Sequence, residues 1–139
     1  KAYGLAGLRV GYALARPEVA DLINRVRQPF NVNSLALAAA TAALDDADFL
    51  VESKRVNDAG MAQLTEGFKA LGLEWIPSWG NFVCVRVGDA ATVFQALLRA
   101  GLIVRPVANY GLSEYLRVSI GLPAQNARFL DVLKAALGR

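Results

Sequence analysis

Histidine is absent from the 139 residues, so neither a Ser-His-Asp nor a Cys-His catalytic arrangement can be assembled within this chain. Cysteine occurs once, at Cys84, which excludes an internal disulfide and a cysteine-rich zinc site. The thiol lies in the apolar run NFVCVRV, where it reads as a buried structural group rather than a nucleophile. Charge is sparse as well. Charged residues make up 19% of the chain and hydrophobic residues 55%, a balance that suits a packed core and argues against disorder. The net charge of +3 is scattered, with no lysine or arginine block, so the electrostatic footprint of a nucleic-acid-binding protein is missing. A small anionic ligand suits that balance at least as well. No uninterrupted apolar run reaches the ~18 residues that a membrane-spanning helix needs. The groups left for chemistry are lysines, arginines, tyrosines and carboxylates.

LRVGYALA (8–15) has the composition of a short strand. Arg16-Pro17 then opens a helix with proline in its first turn, and Val19, Leu22, Ile23 and Val26 give it an apolar face to lay on a core. PFNVNS (29–34) is a turn-rich connection. From Ser34 the chain is helical for a long way, with a break at Asp45-Asp46 and a second stretch in which Phe49, Val56, Leu64, Phe68 and Leu71 share a face. Gly60 inside that helix points to a bend or to close packing, and Gly72 ends it. Beyond Gly72 the elements shorten. LEWIP (73–77), NFVCVRV (81–87), LIVRPV (102–107) and YLRVSIG (115–121) read as strands. DAATVFQALLRAG is a helix capped by Asp89, and PAQNARFLDVLKAALG is the last helix. A small α+β unit is therefore expected after a long helix, with a strand–helix piece before it.

Four segments, in order along the chain, carry a resemblance: KAYGLAGLRVGY, PFNVNSLALAAA, SWGNFVCVRV and IVRPVANYGLSEYLRVSIG. Together they resemble fold-type I pyridoxal-phosphate aminotransferases, and among these the histidinol-phosphate aminotransferases most. The resemblance covers essentially the whole chain. It implies an α/β fold that is the C-terminal part of a fold-type I transferase dependent on pyridoxal 5'-phosphate (PLP). In that division residues 1–45 are the remainder of the large cofactor-binding domain and the start of the interdomain helix, and residues 46–139 are the small C-terminal α+β domain. It also implies that the chain opens on the cofactor lysine, that further cofactor contacts lie in a preceding segment, and that these residues alone are inactive. The enzyme is expected to be a cytoplasmic homodimer acting on small molecules, with no nucleic-acid or membrane partner.

The residues themselves are consistent with those roles without requiring them. A lysine amine attacks a carbonyl effectively only where an apolar or cationic neighbourhood lowers its pKa. Lys1 is followed by AYGLAGLR, apolar but for Tyr3 and Arg9. Arg9 offers a permanent charge and two parallel donors that match a phosphate. On spacing alone a surface lysine beside a glycine-containing loop is the commoner outcome. The resemblance makes Lys1 the Schiff-base lysine and proton shuttle, and Arg9 a ligand of the cofactor phosphate.

In YLRVSIG the apolar Leu116, Val118 and Ile120 alternate with Arg117 and Ser119, so Arg117 projects from the opposite face of the strand. An exposed charge on a half-buried sheet would look the same. The resemblance gives Arg117 the substrate carboxylate and Arg105 the substrate phosphate. Asn33 and Asn81 are further substrate-binding candidates, although turn and capping chemistry accounts for each equally well. Tyr3 and Tyr110 are candidate pocket walls. No metal site is expected. The function implied is ping-pong transamination of histidinol phosphate with 2-oxoglutarate in histidine biosynthesis. An aromatic amino-acid aminotransferase, a phosphorylated-amino-acid decarboxylase of the same fold and a non-catalytic α+β binding module are the competing readings.

Overall fold

The computed structural model describes residues 2–139. These residues divide into two compact units, one ending at Lys54 and one comprising Arg55–Arg139.

In the first unit, a 3-10 turn at Ala6–Leu8 is followed by α1 (Pro17–Val26), α2 (Ser34–Leu44) and the beginning of α3 (Ala47–Ala70). Pro17 starts α1 because its missing N–H falls where a helix has no partner for one. Asn33 caps α2 by accepting a 2.8 Å bond from the Ala36 N–H. The Asp45-Asp46 break lies between α2 and α3, where expected, and Asp46 Oδ1 accepts from Phe49 N–H.

Two expectations fail here. Residues 8–15 form no strand, because no described segment offers them a hydrogen-bonded ladder and an isolated extended segment is not a strand. And α1, although helical as its pattern requires, lays no face on a core: Leu22, Ile23 and Val26 are exposed among the described residues.

The second unit is a four-stranded antiparallel sheet with helices on one face. Its strands are β1 (Trp75–Ile76), β2 (Phe82–Arg86), β3 (Arg105–Pro106) and β4 (Tyr115–Ser119), in the spatial order β1-β2-β4-β3. The helices are α3, α4 (Ala90–Arg99) and α5 (Pro123–Ala136). Alternation decides which side is buried. Val83, Val85, Leu116 and Val118 point into a core with Leu64, Phe68, Leu97, Phe129 and Leu133. The Phe68 ring sits among Trp75 and Phe129, with centroids at 6.2 and 6.4 Å.

The outer strands are shorter than the sequence suggests. β3 holds only two residues because Pro106 has no N–H for a ladder, and it lies at the sheet edge, where proline is tolerated. Pro77 likewise follows directly on β1. Gly72, at φ +63°, ends α3 with the Leu73 N–H bonded to the Phe68 carbonyl, a glycine helix cap. Among the described residues no helix is long and apolar enough to cross a membrane.

Candidate active site

The face of the sheet opposite the core carries the chemistry. Register places Cys84 opposite Arg117, and Arg117 opposite Arg105, so these three residues form a row across β2, β4 and β3. Two guanidinium-bearing residues directly opposite one another destabilise a sheet unless something neutralises them. Among the described residues neither pairs with a carboxylate. Arg105 Nη2 donates a 3.4 Å bond to the Tyr110 hydroxyl. Arg117 lies over the Phe82 ring, its guanidinium carbon 4.7 Å from the centroid, and its buried Nε has no hydrogen-bond partner.

Arg86, two residues along β2 from Cys84, is the contrast. It bonds Glu74 and Glu114 at 3.0 Å each, and those two hydrogen bonds raise its pKa. That arginine is spent on holding strands together. Arg105 and Arg117 retain donors for an anion from outside.

Cys84 is half-buried, and the loss of water around it pushes the thiol pKa up, partly offset by the nearby Arg117 charge. It is therefore a protonated wall of the row rather than a thiolate.

Arg9, in the first unit, has left-handed backbone angles (φ 56°, ψ 39°) and closes the 3-10 turn. Its Nη1 donates to the Ala6 carbonyl at 2.8 Å, which leaves the other guanidinium donors free to meet an anion. A left-handed arginine is uncommon and costs backbone energy, a feature that gathers at functional sites. Lys1 lies outside the described residues.

The weaker candidates resolve differently. Asn33 spends its side-chain oxygen on capping α2. Asn81 is exposed, and its main-chain carbonyl accepts from Ile120 N–H at 2.9 Å, joining the entrance of β2 to the end of β4. Tyr3 shares a hydrogen bond with Tyr12 that raises its pKa. Tyr110 holds Arg105 rather than walling a closed pocket, since it is largely exposed.

Sequence reasoning missed Phe82 and Asn126. Phe82 looked like one more strand apolar, although it shares the polar face with Arg117. Asn126 is 3% exposed and makes hydrogen bonds to Gln63 and to both the N–H and the carbonyl of Gly121. An asparagine in the first turn of a helix that follows a glycine was the available signal.

The chain is 66% identical over 140 residues to histidinol-phosphate aminotransferase 2 of Pseudomonas fluorescens (strain Pf-5), covering 100% of this chain and 38% of that protein. It is 68% identical over 138 residues to histidinol-phosphate aminotransferase 2 of Pseudomonas aeruginosa (strain PAO1), covering 99% of this chain and 37% of that one. The crystal structure of histidinol-phosphate aminotransferase from Sinorhizobium meliloti in complex with pyridoxal-5'-phosphate superimposes with a TM-score of 0.86 at 32% identity, over 99% of this chain and 39% of that chain. The chain thus spans well under half the length of the relatives it matches. The model of the family "Aminotransferase class I and II" matches residues 1–133, and the chain belongs to that family.

Proposed function

We propose that the protein to which this chain contributes is a PLP-dependent transaminase that moves the amino group of histidinol phosphate to 2-oxoglutarate in histidine biosynthesis. The observation that carries the reading is the row of Arg105 and Arg117, opposed across β3 and β4 with no carboxylate between them. It offers two fixed positive charges on the sheet face opposite the core, suited to substrates that carry a phosphate or carboxylates. The naming of relatives 66% and 68% identical supports the specific substrate.

The cofactor fits what the chain offers. Arg9 keeps guanidinium donors unspent in a strained turn, as a phosphate ligand would. When bound, PLP supplies the electron sink that makes the hydrogen on the amino-bearing carbon acidic. Lys1, in this reading, would hold the cofactor covalently when no substrate is present; once substrate displaces it, its freed amine would take the proton from the amino-bearing carbon of the substrate and deliver it to the cofactor carbon. Arg9 anchors the cofactor phosphate by paired donors. Arg117 grips the carboxylate of 2-oxoglutarate and glutamate. Arg105, steadied by Tyr110, holds the phosphate of histidinol phosphate, which has no carboxylate of its own. Asn81 is a further substrate-binding residue in this proposal, as is Asn33 through the amide nitrogen that its cap leaves over. Residues 1–45 belong in this proposal to the large cofactor-binding domain and the start of the interdomain helix, and 46–139 to the small domain of a cytoplasmic homodimer.

Single-turnover kinetics on the full-length enzyme test the substrate. Arg105→Ala should slow the half-reaction with histidinol phosphate about tenfold to a hundredfold, the worth of a charge-assisted contact, and the half-reaction with an unphosphorylated aromatic amino acid far less. Arg117→Ala should impair the reaction with 2-oxoglutarate. Equal slowing of the phosphorylated and unphosphorylated donors by Arg105→Ala would remove the phosphate assignment and favour an aromatic aminotransferase.

A further inference from the structure

We infer that Phe82 is a positioning residue for Arg117, and that its ring sets how tightly the site holds a carboxylate. The inference rests on the proposed role of Arg117 and deepens it.

Register puts Phe82 opposite Ser119 and Cys84 opposite Arg117, so Phe82 and Arg117 are diagonal neighbours on the same face of the β2–β4 ladder. Diagonal pairs lie within reach of an aromatic ring and a long side chain. The contact is made: the guanidinium carbon is 4.7 Å from the ring centroid. An arginine side chain has several rotatable bonds, and nothing else among the described residues pins its head. No carboxylate pairs with it, and its Nε is buried without an acceptor.

That combination has a chemical meaning. A hydrogen-bonded or ion-paired arginine must break that bond to receive a ligand, whereas a ring holds the guanidinium by its face and leaves its edge of donors unused. Stacking also removes water from one side of the charge, which strengthens whatever the edge then binds. The neighbouring Arg86 shows the alternative, because its head is consumed by Glu74 and Glu114.

The test uses the full-length holoenzyme and glutarate, a non-reacting dicarboxylate, with its dissociation constant read by calorimetry. The KM for 2-oxoglutarate and kcat are measured alongside, together with the thermal midpoint. Phe82→Leu should weaken glutarate about fivefold to tenfold and raise the KM for 2-oxoglutarate in step, the scale of a partly desolvated cation–π contact. Its kcat should stay within about twofold, since Phe82 acts on binding and not on proton transfer. Phe82→Tyr keeps the ring and should restore affinity to within about twofold. In an Arg117→Ala background, Phe82→Leu should change glutarate affinity no further. Should Phe82→Leu fail to fold, Phe82→Met carries the same comparison. An unchanged affinity in Phe82→Leu, or an equal loss in the presence and absence of Arg117, would overturn the role of Phe82 while leaving that of Arg117 standing. Glutarate affinity unaffected by Arg117→Ala would overturn both.

Discussion

Arg9, Arg105 and Arg117 show what a single residue type is made to do by its surroundings. Each keeps guanidinium donors in reserve, whereas Arg86 spends its own on Glu74 and Glu114. Arg9 does so in a left-handed backbone that an arginine adopts only at a cost. Arg9→Lys keeps the charge and loses the fork, so the full-length enzyme should release cofactor more readily, with a dissociation constant raised about tenfold or more. An unchanged constant would show that Arg9 does not touch the phosphate. At Lys1 the expectation is sharper. Lys1→Ala should abolish transamination while cofactor still binds non-covalently, and borohydride reduction of the wild type should fix the cofactor to this residue. Label found on Lys54, Lys69 or Lys134 instead would end the reading.

At the scale of an element, helix ends and strand edges are governed by where backbone donors can be satisfied. α4 is a clear case: Asp89 accepts from the Thr92 N–H at 3.1 Å and from the Thr92 hydroxyl at 2.7 Å. Those bonds favour the ionised carboxylate, and the Asp89 pKa is lowered chiefly by the Thr92 side chain and next by its N–H. A carboxyl with a depressed native pKa contributes stability above its unfolded pKa and loses it as pH falls through the native value. Asp89→Ala should therefore lower the thermal midpoint by a constant amount at neutral pH. The gap to wild type should begin to close near the ordinary carboxylate pKa of about 3.9 and vanish below the lowered native value. A gap that persisted unchanged into strong acid would show that the cap does not depend on the charge. β3 illustrates the opposite case, since Pro106 has no donor to give and the ladder stops with it.

At the scale of the second unit, α3 packs tightly against the β4–α5 connection and α5 at two glycines. These are Gly60 and Gly67, two turns apart on α3. A Cβ on Gly60 would stand 2.5 Å from Ile120 Cγ2, 3.0 Å from Asn126 Nδ2 and 3.1 Å from the Gly121 carbonyl. Asn126 cannot give way cheaply, because its amide is bonded to Gln63 and Gly121. Gly60→Ala gains helix propensity worth about 1 kcal/mol, but overpacking against pinned neighbours costs about 1–3 kcal/mol. The substitution should thus destabilise on balance. At Gly67 the three atoms nearest a Cβ all belong to the Leu130 side chain, which can rotate, so Gly67→Ala should cost less. Denaturant melts of the two variants in the full-length enzyme check the order; a Gly60→Ala variant as stable as wild type would show that the contact relaxes freely.

The helices were legible in the sequence because their signals are local: Pro17, Asn33 and Asp89 at starts, Gly72 at an end, and apolar residues at helical spacing between. So was the buried face of the sheet, where Val83, Val85, Leu116 and Val118 alternate as period-two residues must. Gly60 announced close packing without naming its neighbours. The strand expected at 8–15 and the longer outer strands were misread, because a strand exists only if another segment supplies its ladder, and sequence composition carries no record of that partner. The candidate site was half legible. Alternation in YLRVSIG turned Arg117 away from the core, and the resemblance to aminotransferases singled out Lys1, Arg9 and Arg105. Only tertiary structure could decide that Arg117 stands opposite Arg105, lies on Phe82 and keeps an unpaired Nε, while Arg86 two strand positions from Cys84 is neutralised. Periodicity follows from each residue's immediate neighbours along the chain; register joins residues that the chain separates, and the packing of the whole unit sets it.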